Sequence, residues 1–263
     1  MKYLLYEEKD KNVGVLTINR PEALNALNSG VIAELQTCLA ELAKKAEEHS
    51  LRCLILTGAG EKSFVAGADI AEMRSMTVEE GRAFGLEGDK VMEALEDFPC
   101  PVIAAVNGFA LGGGLELTLS CDIRIASTKA SFALPETGLG IIPGYGGIQR
   151  LSRLVGAGFA KEMVYTTNRI KADAALSIGL VNHVYEPEAL MTEAIALAEK
   201  ITSNAPCAIA AAKKVANASV GLELSKSTRL ENPAFGACFA TEDQKEAMAA
   251  FVEKRPHSPF TGK

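Results

Sequence analysis

Short, continuous apolar runs alternate with stretches of helical periodicity along most of the chain. The continuous runs predict buried strands over residues 13–18, 51–56, 102–106 and 123–126. Apolar residues at helical spacing predict one helix that starts at Asn28-Ser29 and runs towards His49, and further helices over residues 78–97 and 115–120. Strands that alternate with helices in this way favour an α/β domain.

The C-terminal part of the chain has a different pattern. Residues 187–204, 206–219 and 242–254 are predicted to be helices, with no strand between them. We therefore divide the chain near residue 200, into an α/β core over residues 1–200 and a helical region over residues 201–263. Within the core, a strand–loop–helix pattern occurs twice, which indicates a repeated unit.

Composition and charge narrow the class of protein. Apolar residues make up 48% of the 263 residues, which is enough for a sizeable core and argues against disorder. The formal net charge of −6 disfavours broad binding to nucleic acid, which depends on Lys and Arg. No apolar run reaches the roughly 18 residues of a membrane span, and the apolar patch near the N-terminus is too short for a signal segment. We therefore expect a cytoplasmic protein without a membrane partner.

Cysteines and histidines give no sign of a metal site. The six cysteines contain no CxxC pair, and the three histidines are far apart in the sequence. We expect free thiols in a reducing compartment and no bound metal.

A glycine run directly before a predicted helix is the most informative segment. It lies in residues 108–114, which we predict to be a loop, and its glycines allow the backbone to approach a ligand closely. The first amides of a helix lack internal partners and favour negative charge. An amide of this run is thus a candidate oxyanion donor, and Glu116, three residues after Gly113, can face the same ligand. Two alternatives to a catalytic role are a glycine turn that only lets the helix pack tightly on the strand, and a dinucleotide-binding loop. The glycine spacing differs from the GxGxxG pattern of dinucleotide-binding loops.

Two further segments contain candidate functional residues. Glu136 lies in an apolar stretch rich in glycine and proline, where burial would raise its pKa and suit it to acid–base catalysis. If the stretch is exposed, Glu136 is an ordinary turn carboxylate. In the other segment, small residues from Ala66 to Ala68 allow close approach, and Asp69 is predicted to cap the following turn. Lys62 either meets a phosphate or is merely solvated.

These three segments, in this order and spacing, resemble the crotonase superfamily of enoyl-CoA hydratases and isomerases. The likeness covers essentially the whole chain, and it is strongest to bacterial short-chain hydratases, that is, 3-hydroxybutyryl-CoA dehydratases. It includes Asn19-Arg20-Pro21, Asn25-Ala26-Leu27, residues 121–126, Gln149-Arg150-Leu151 and residues 240–246. The resemblance implies a spiral of repeated ββα units, followed by a helical region that mediates trimerisation. It also implies a homo-hexamer made of two trimers.

The resemblance also implies a set of site residues. The backbone amides of Ala68 and Gly113 would hold the thioester oxygen, while Glu116 and Glu136 would bind one water between them, with their acid and base roles left open. The expected contacts with the acyl-CoA substrate come from Lys62, Ala66, Ala68, Asp69, Ile70, Ala71 and Gly113. Coenzyme A enters as part of the substrate, so no separate cofactor is expected.

Some positions depart from the superfamily pattern. Ala133-Leu134 replaces a common Gly-Gln, and Glu22 replaces a common lysine, which weakens the attraction for phosphate. Tyr145 is bulkier than the frequent alanine. It either borders the acyl pocket and favours short chains, or it has an ordinary packing role at the surface or in the core.

The implied activity is the reversible hydration of a short 2-enoyl-CoA, with crotonyl-CoA and 3-hydroxybutyryl-CoA as the expected pair in butyrate-type metabolism. Isomerisation, decarboxylation or thioester hydrolysis on the same scaffold are the nearest alternatives. A non-catalytic, RNA-binding member is disfavoured by the acidic charge.

Overall fold

Ten strands form two sheets in this computed structural model, which describes residues 1–263. The larger sheet has six strands in the spatial order β1-β2-β3-β5-β7-β10. They are β1 (Leu4–Lys9), β2 (Val13–Ile18), β3 (Cys53–Gly58), β5 (Val102–Val106), β7 (Ile123–Ser127) and β10 (His183–Tyr185). The smaller sheet consists of β4 (Ser63–Val65), β6 (Phe109–Leu111), β8 (Ser131–Ala133) and β9 (Ile170–Lys171), in that order.

Eleven helices follow or cover these strands. They are α1 (Ser29–Glu47), α2 (Ile70–Met73), α3 (Val78–Glu96), α4 (Gly113–Leu119), α5 (Gly147–Val155), α6 (Ala157–Thr166), α7 (Ala172–Ser177), α8 (Leu190–Thr202), α9 (Pro206–Ala218), α10 (Leu224–Cys238) and α11 (Glu242–Glu253). None of them is both long enough and apolar enough to cross a bilayer.

The two sheets are built from a unit that occurs three times. In each unit, one strand joins the larger sheet, the next strand joins the smaller sheet, and a helix follows. The pairs β3–β4, β5–β6 and β7–β8 are placed in this way, and neighbouring units pair in parallel in both sheets. The predicted spiral of ββα units is therefore confirmed.

The four strands β2, β3, β5 and β7 of the larger sheet are buried on both faces, which explains their continuous, mostly apolar sequences. Alternate residues of β3 point to opposite sides: Leu54 and Leu56 join the main core beneath α1 and α3, whereas Cys53 and Ile55 join a second core. Leu190, Ala194 and Ala198, one face of α8, cover this second core.

The C-terminal helices attach to the core in different ways. α8 packs on the larger sheet, whereas α10 has no buried residue. α9 is fixed by Lys213, whose Nζ donates to Asp122 Oδ2 at 2.7 Å. Every element after β10 is helical, and the first of these helices covers the core sheet. The division near residue 200 stays a prediction.

Several elements differ from the sequence expectation. Residues 108–114, predicted to be a loop, contain β6, and β4 and β8 were likewise not predicted. Each of these strands has three residues, too few to show a period. β1, α5, α6 and α10 were also missed; α10 contains Pro233 and lacks a face buried within this chain.

Candidate active site

The backbone at the end of β4 lies directly against the backbone at the start of α4, just after β6. At Gly114, in the first turn of α4, an added Cβ would overlap the carbonyl of Val65 at the end of β4. At Gly112 the backbone has φ +51°, and an added Cβ would lie 3.7 Å from Gly67 Cα. Glycine is therefore required for this approach, and it brings the loop after β4 against the start of α4.

Two backbone amides at this junction have no acceptor in the protein. Leu27 donates its amide to Gly67 O at 2.8 Å and accepts the amide of Asp69 at 2.8 Å. These two bonds form an isolated parallel bridge, in which the N–H of Ala68 points away from Leu27 and donates to no acceptor. Gly113 is the first residue of α4, and its amide is also free. The structure thus leaves two donors unpaired at neighbouring turns.

An ion pair fixes the turn that contains Ala68. Asp69 caps α2 by accepting from the amide of Ala71 at 3.1 Å, as predicted. Its Oδ2 also accepts from Arg20 Nη1 at 2.8 Å, and this hydrogen bond lowers the pKa of Asp69. Arg20 Nη1 donates further to Ala26 O at 3.1 Å. Asp69 is therefore engaged within the protein, while Ile70 and Ala71 are exposed beside it.

Two asparagines hold the loop that contains Lys62. Asn25 Nδ2 donates to the carbonyls of Ala59 and Ser63, both at 2.9 Å, and Asn107 Nδ2 donates to Gly60 O at 2.7 Å. Lys62 is exposed and belongs to no ion pair, so its ammonium is free to meet an anion. A cleft of about 370 Å³ lies beside it, lined by Pro21, Leu24, Asn25, Ala59, Gly60, Glu61, Lys62 and Ser63. The sequence did not predict that Asn107 holds this loop through a side-chain hydrogen bond.

Glu116 lies in the first turn of α4 with its side chain buried. Its Oε1 accepts two backbone hydrogen bonds, from Tyr145 N and Gly147 N, both at 2.8 Å. Burial raises the pKa of Glu116 to about 7, against the opposite effect of these two hydrogen bonds. Glu116 is therefore a buried group that changes charge near neutral pH, with one oxygen fixed by the backbone.

Glu136 begins a short 3₁₀ helix, Glu136–Leu139, and its side chain is also buried. Burial raises its pKa to about 7, and the nearby charge of Glu116 acts in the same direction. Its Oε2 is buried without a hydrogen-bond partner, and its Oε1 lies 2.5 Å from where a Cβ on Gly112 would be. The expected burial of Glu136 is thus confirmed, and its carboxyl group lies against the glycine turn at the start of α4.

Tyr145 fills the space between α3 and the start of α4. An added Cβ on Gly88 of α3 would overlap its ring, and one on Gly113 would lie 3.1 Å from its Cε2. Its hydroxyl is buried without a partner, and burial, together with the charge of Glu116, raises the pKa of Tyr145. The sequence signal for this packing is an isolated glycine within a helix, which often marks a close contact, and the role of Gly88 was missed.

Comparison with known proteins identifies the family of this chain. The family model described as enoyl-CoA hydratase/isomerase matches residues 8–263. The chain belongs to the enoyl-CoA hydratase/isomerase family. It is 56% identical over 253 residues to a short-chain-enoyl-CoA hydratase of Clostridium acetobutylicum, covering 96% of each chain. It is 49% identical over 248 residues to a crotonyl-CoA hydratase of Syntrophomonas wolfei, covering 94% of each.

A solved structure of the family also matches the fold. The crystal structure of an enoyl-CoA hydratase from Bacillus anthracis superposes with a TM-score of 0.94 at 42% identity, covering 99% of this chain and 100% of that one. The crotonase fold inferred from the sequence is therefore confirmed.

The raised pKa of Glu136 predicts a stability that depends on pH. The folded state binds the proton more tightly than the unfolded chain, so Glu136 lowers stability as pH rises from its ordinary pKa of 4.5 through about 7. We expect Glu136→Gln to have little effect at pH 4.5 and to gain about 3 kcal/mol over wild type above pH 7. Urea unfolding across this range measures the difference, with the exposed Glu162→Gln as the control. A difference that is independent of pH would contradict the assigned pKa.

Proposed function

We propose that this protein catalyses the reversible addition of water to a short-chain 2-enoyl-CoA, with crotonyl-CoA and 3-hydroxybutyryl-CoA as the substrate pair. One observation carries the proposal: two buried carboxyl groups that titrate near pH 7 lie beside two unpaired backbone amides. The names of the Clostridium and Syntrophomonas relatives, a short-chain and a crotonyl-CoA hydratase, support the same reaction.

The amides of Ala68 and Gly113 would bind the thioester oxygen. Because neither amide has an acceptor in the protein, both can donate to the negative charge that develops when the carbonyl conjugated to the double bond is polarised. One preorganised donor of this kind typically contributes about 10²–10³ in rate. This polarisation makes C3 electrophilic and lets negative charge spread from C2 to the oxygen.

Glu116 and Glu136 would supply the proton transfers. Since both pKa values lie near 7 and the two charges repel, the pair holds about one proton at neutral pH. The ionised carboxylate takes a proton from water as the water oxygen bonds to C3, and the protonated carboxyl gives its proton to C2. Water is thereby added across the double bond, and the pair still holds one proton. The partner-free Oε2 of Glu136 and the remaining oxygen of Glu116 are available to the water.

The coenzyme A portion would lie along the loop after β4. Lys62 beside its cleft is suited to a phosphate, and the small residues Ala66, Ala68 and Ala71 permit an extended chain to pass. The exposed Glu22 and Glu61 weaken the positive field there. Coenzyme A is part of the substrate, so the proposal requires no separate cofactor.

Hydration is favoured over the other reactions of this scaffold because both carboxyl groups are present and buried. Moving a double bond transfers one proton, which a single carboxyl can perform, whereas adding water needs one group for the water and one for C2. We further propose a cytoplasmic enzyme of butyrate-type metabolism, because the six cysteines are free thiols and the proposed substrate pair has four-carbon acyl groups.

An assay with crotonyl-CoA tests the reaction. We expect wild type to remove the absorbance of the conjugated enoyl thioester. Glu116→Gln and Glu136→Gln should each lower kcat by about 10²–10⁴, the usual contribution of a general acid or base. Glu162→Gln, on the exposed face of α6, is the matched control and should retain the wild-type rate.

Two outcomes of this assay would reject the hydratase. One is an absence of turnover by wild type on every C4–C8 enoyl-CoA, and the other is an unchanged rate in the double glutamine variant. Conversion of a 3-enoyl-CoA to the 2-enoyl isomer without hydration would instead assign the isomerase reaction.

Tyr145 would limit the length of the acyl chain, because its ring fills the space between Gly88 and Gly113. We expect Tyr145→Ala to raise the ratio of kcat/KM for hexenoyl-CoA over crotonyl-CoA by about tenfold, since two more buried methylenes stabilise binding by about 1.6 kcal/mol. Tyr145→Phe keeps the ring and should keep the ratio, as should Tyr165→Ala at an exposed site. An unchanged ratio in Tyr145→Ala would show that the ring does not border the acyl group.

The C-terminal helices would form the contacts between subunits. α10 has no buried residue, yet it exposes Leu224, Leu230 and Phe235, and Phe239 at its end is exposed as well. Apolar patches of this kind mark interfaces in soluble proteins. We propose that they are buried in a trimer and that two trimers form a hexamer. Sedimentation equilibrium should give six times the 27.8 kDa of one chain, and a monomer at micromolar concentration would contradict the assembly.

A further inference from the structure

Arg150, on α5, connects the turn before α5 to the side of α3. Its Nε and Nη2 donate to the two carboxylate oxygens of Glu96, at 2.8 and 2.9 Å. Its Nη1 donates to Tyr145 O at 2.6 Å and to Asp89 Oδ1 at 3.3 Å. The planar guanidinium satisfies this bidentate pair and the carbonyl at the same time, which the single ammonium of a lysine cannot do.

The turn that Arg150 contacts is the one that holds Glu116. The amides of Tyr145 and Gly147 are the two donors to Glu116 Oε1. Tyr145 therefore makes two backbone hydrogen bonds: its N–H donates to Glu116, and its C=O accepts from Arg150. Between these donors lies Gly146, where φ is +81° and an added Cβ would overlap Arg150 Nη1. The backbone of the turn thus rests directly against the guanidinium.

We propose that Arg150 is a positioning residue for Glu116. Anchored to Glu96 and Asp89 of α3, it fixes the carbonyl of Tyr145 and so orients the two amides that hold one oxygen of Glu116. The other oxygen of Glu116 is then directed at the water. The inference rests on the proposed function, in which Glu116 transfers a proton, and it assigns Arg150 no contact with the substrate.

The charges around Glu116 determine the sign of the expected effect. Arg150 favours the ionised form of Glu116, whereas Asp89 opposes it. Across the site stand Glu136, whose charge couples to that of Glu116, and the neutral hydroxyl of Tyr145. Removing Arg150 weakens the two hydrogen bonds that the amides of Tyr145 and Gly147 donate to Glu116. It also leaves the negative charge of Asp89 without the compensating positive charge of Arg150. Both changes disfavour the ionised form, so the pKa of Glu116 rises.

The test compares Arg150→Met and Arg150→Lys with Arg153→Met, a matched control on the exposed side of the same helix. Hydration of crotonyl-CoA is measured over a range of pH. We expect kcat of Arg150→Met to fall about 10–100-fold, the cost of misplacing a catalytic group by about 1 Å, with KM changed by less than about twofold because substrate contacts remain. One limb of the kcat–pH profile should move to higher pH. Arg150→Lys should recover only part of the rate.

A purely structural role gives a different result. If Arg150→Met is less stable but has the kcat and pH profile of Arg153→Met per folded molecule, the inference is overturned while the hydratase proposal stands. Inactivity of the wild type would instead reject the hydratase proposal. If Arg150→Met fails to fold, the test uses Arg150→Lys and Glu96→Gln instead. Glu96→Gln weakens the ion pair that anchors the guanidinium, and both variants are compared with Arg153→Met by kcat and by the kcat–pH profile.

Discussion

The site depends on the close contact between two stretches of backbone, at the end of β4 and the start of α4. Gly114 lies directly against the carbonyl of Val65, and no side chain fits between them. The parallel bridge between Leu27 and Ala68 completes the arrangement, because it uses the amides of Leu27 and Asp69 and leaves that of Ala68 free. Two unpaired donors and the first turn of α4, with Glu116, are therefore brought together by backbone packing rather than by side chains.

The second requirement is electrostatic. Two carboxyl groups are withdrawn from water within one small site, and burial outweighs the backbone hydrogen bonds that favour their ionised forms. Each is thus less stable in its charged form, at a cost that the large apolar core beneath α1 and α3 offsets. The same burial raises the pKa of each carboxyl group to about 7, so that at neutral pH one group is able to accept a proton while the other is able to donate one. A loss of stability of this kind is common at functional sites, where groups are arranged for activity at the expense of stability.

The sequence carries some of these features and hides others. The strands β2, β3, β5 and β7 are evident because burial on both faces requires continuous apolar runs. The position of Glu116 follows from a local pattern, a glycine run before a helix. The three-residue strands of the smaller sheet have no detectable period, and α10 lacks a face buried within one chain, so neither could be predicted.

Contacts between distant parts of the chain were equally invisible in the sequence. Tyr145 lies in a cavity left by Gly88, and Arg150 is anchored by Glu96, but no local pattern joins the members of either pair. Both pairs depend on α3 packing beside α4 and α5, which only the folded chain reveals. The family resemblance predicted which residues form the proposed thioester site, whereas the structure shows the contacts that hold those residues in place.

The central claim is that the amides of Ala68 and Gly113 polarise a thioester carbonyl independently of the two glutamates. Isotope-edited infrared spectroscopy of crotonyl-CoA labelled with ¹³C at the carbonyl, bound to the Glu116→Gln, Glu136→Gln double variant, measures this polarisation directly. The account predicts a carbonyl stretch at clearly lower frequency than for the same thioester in water. A carbonyl that binds with an unshifted frequency would contradict it.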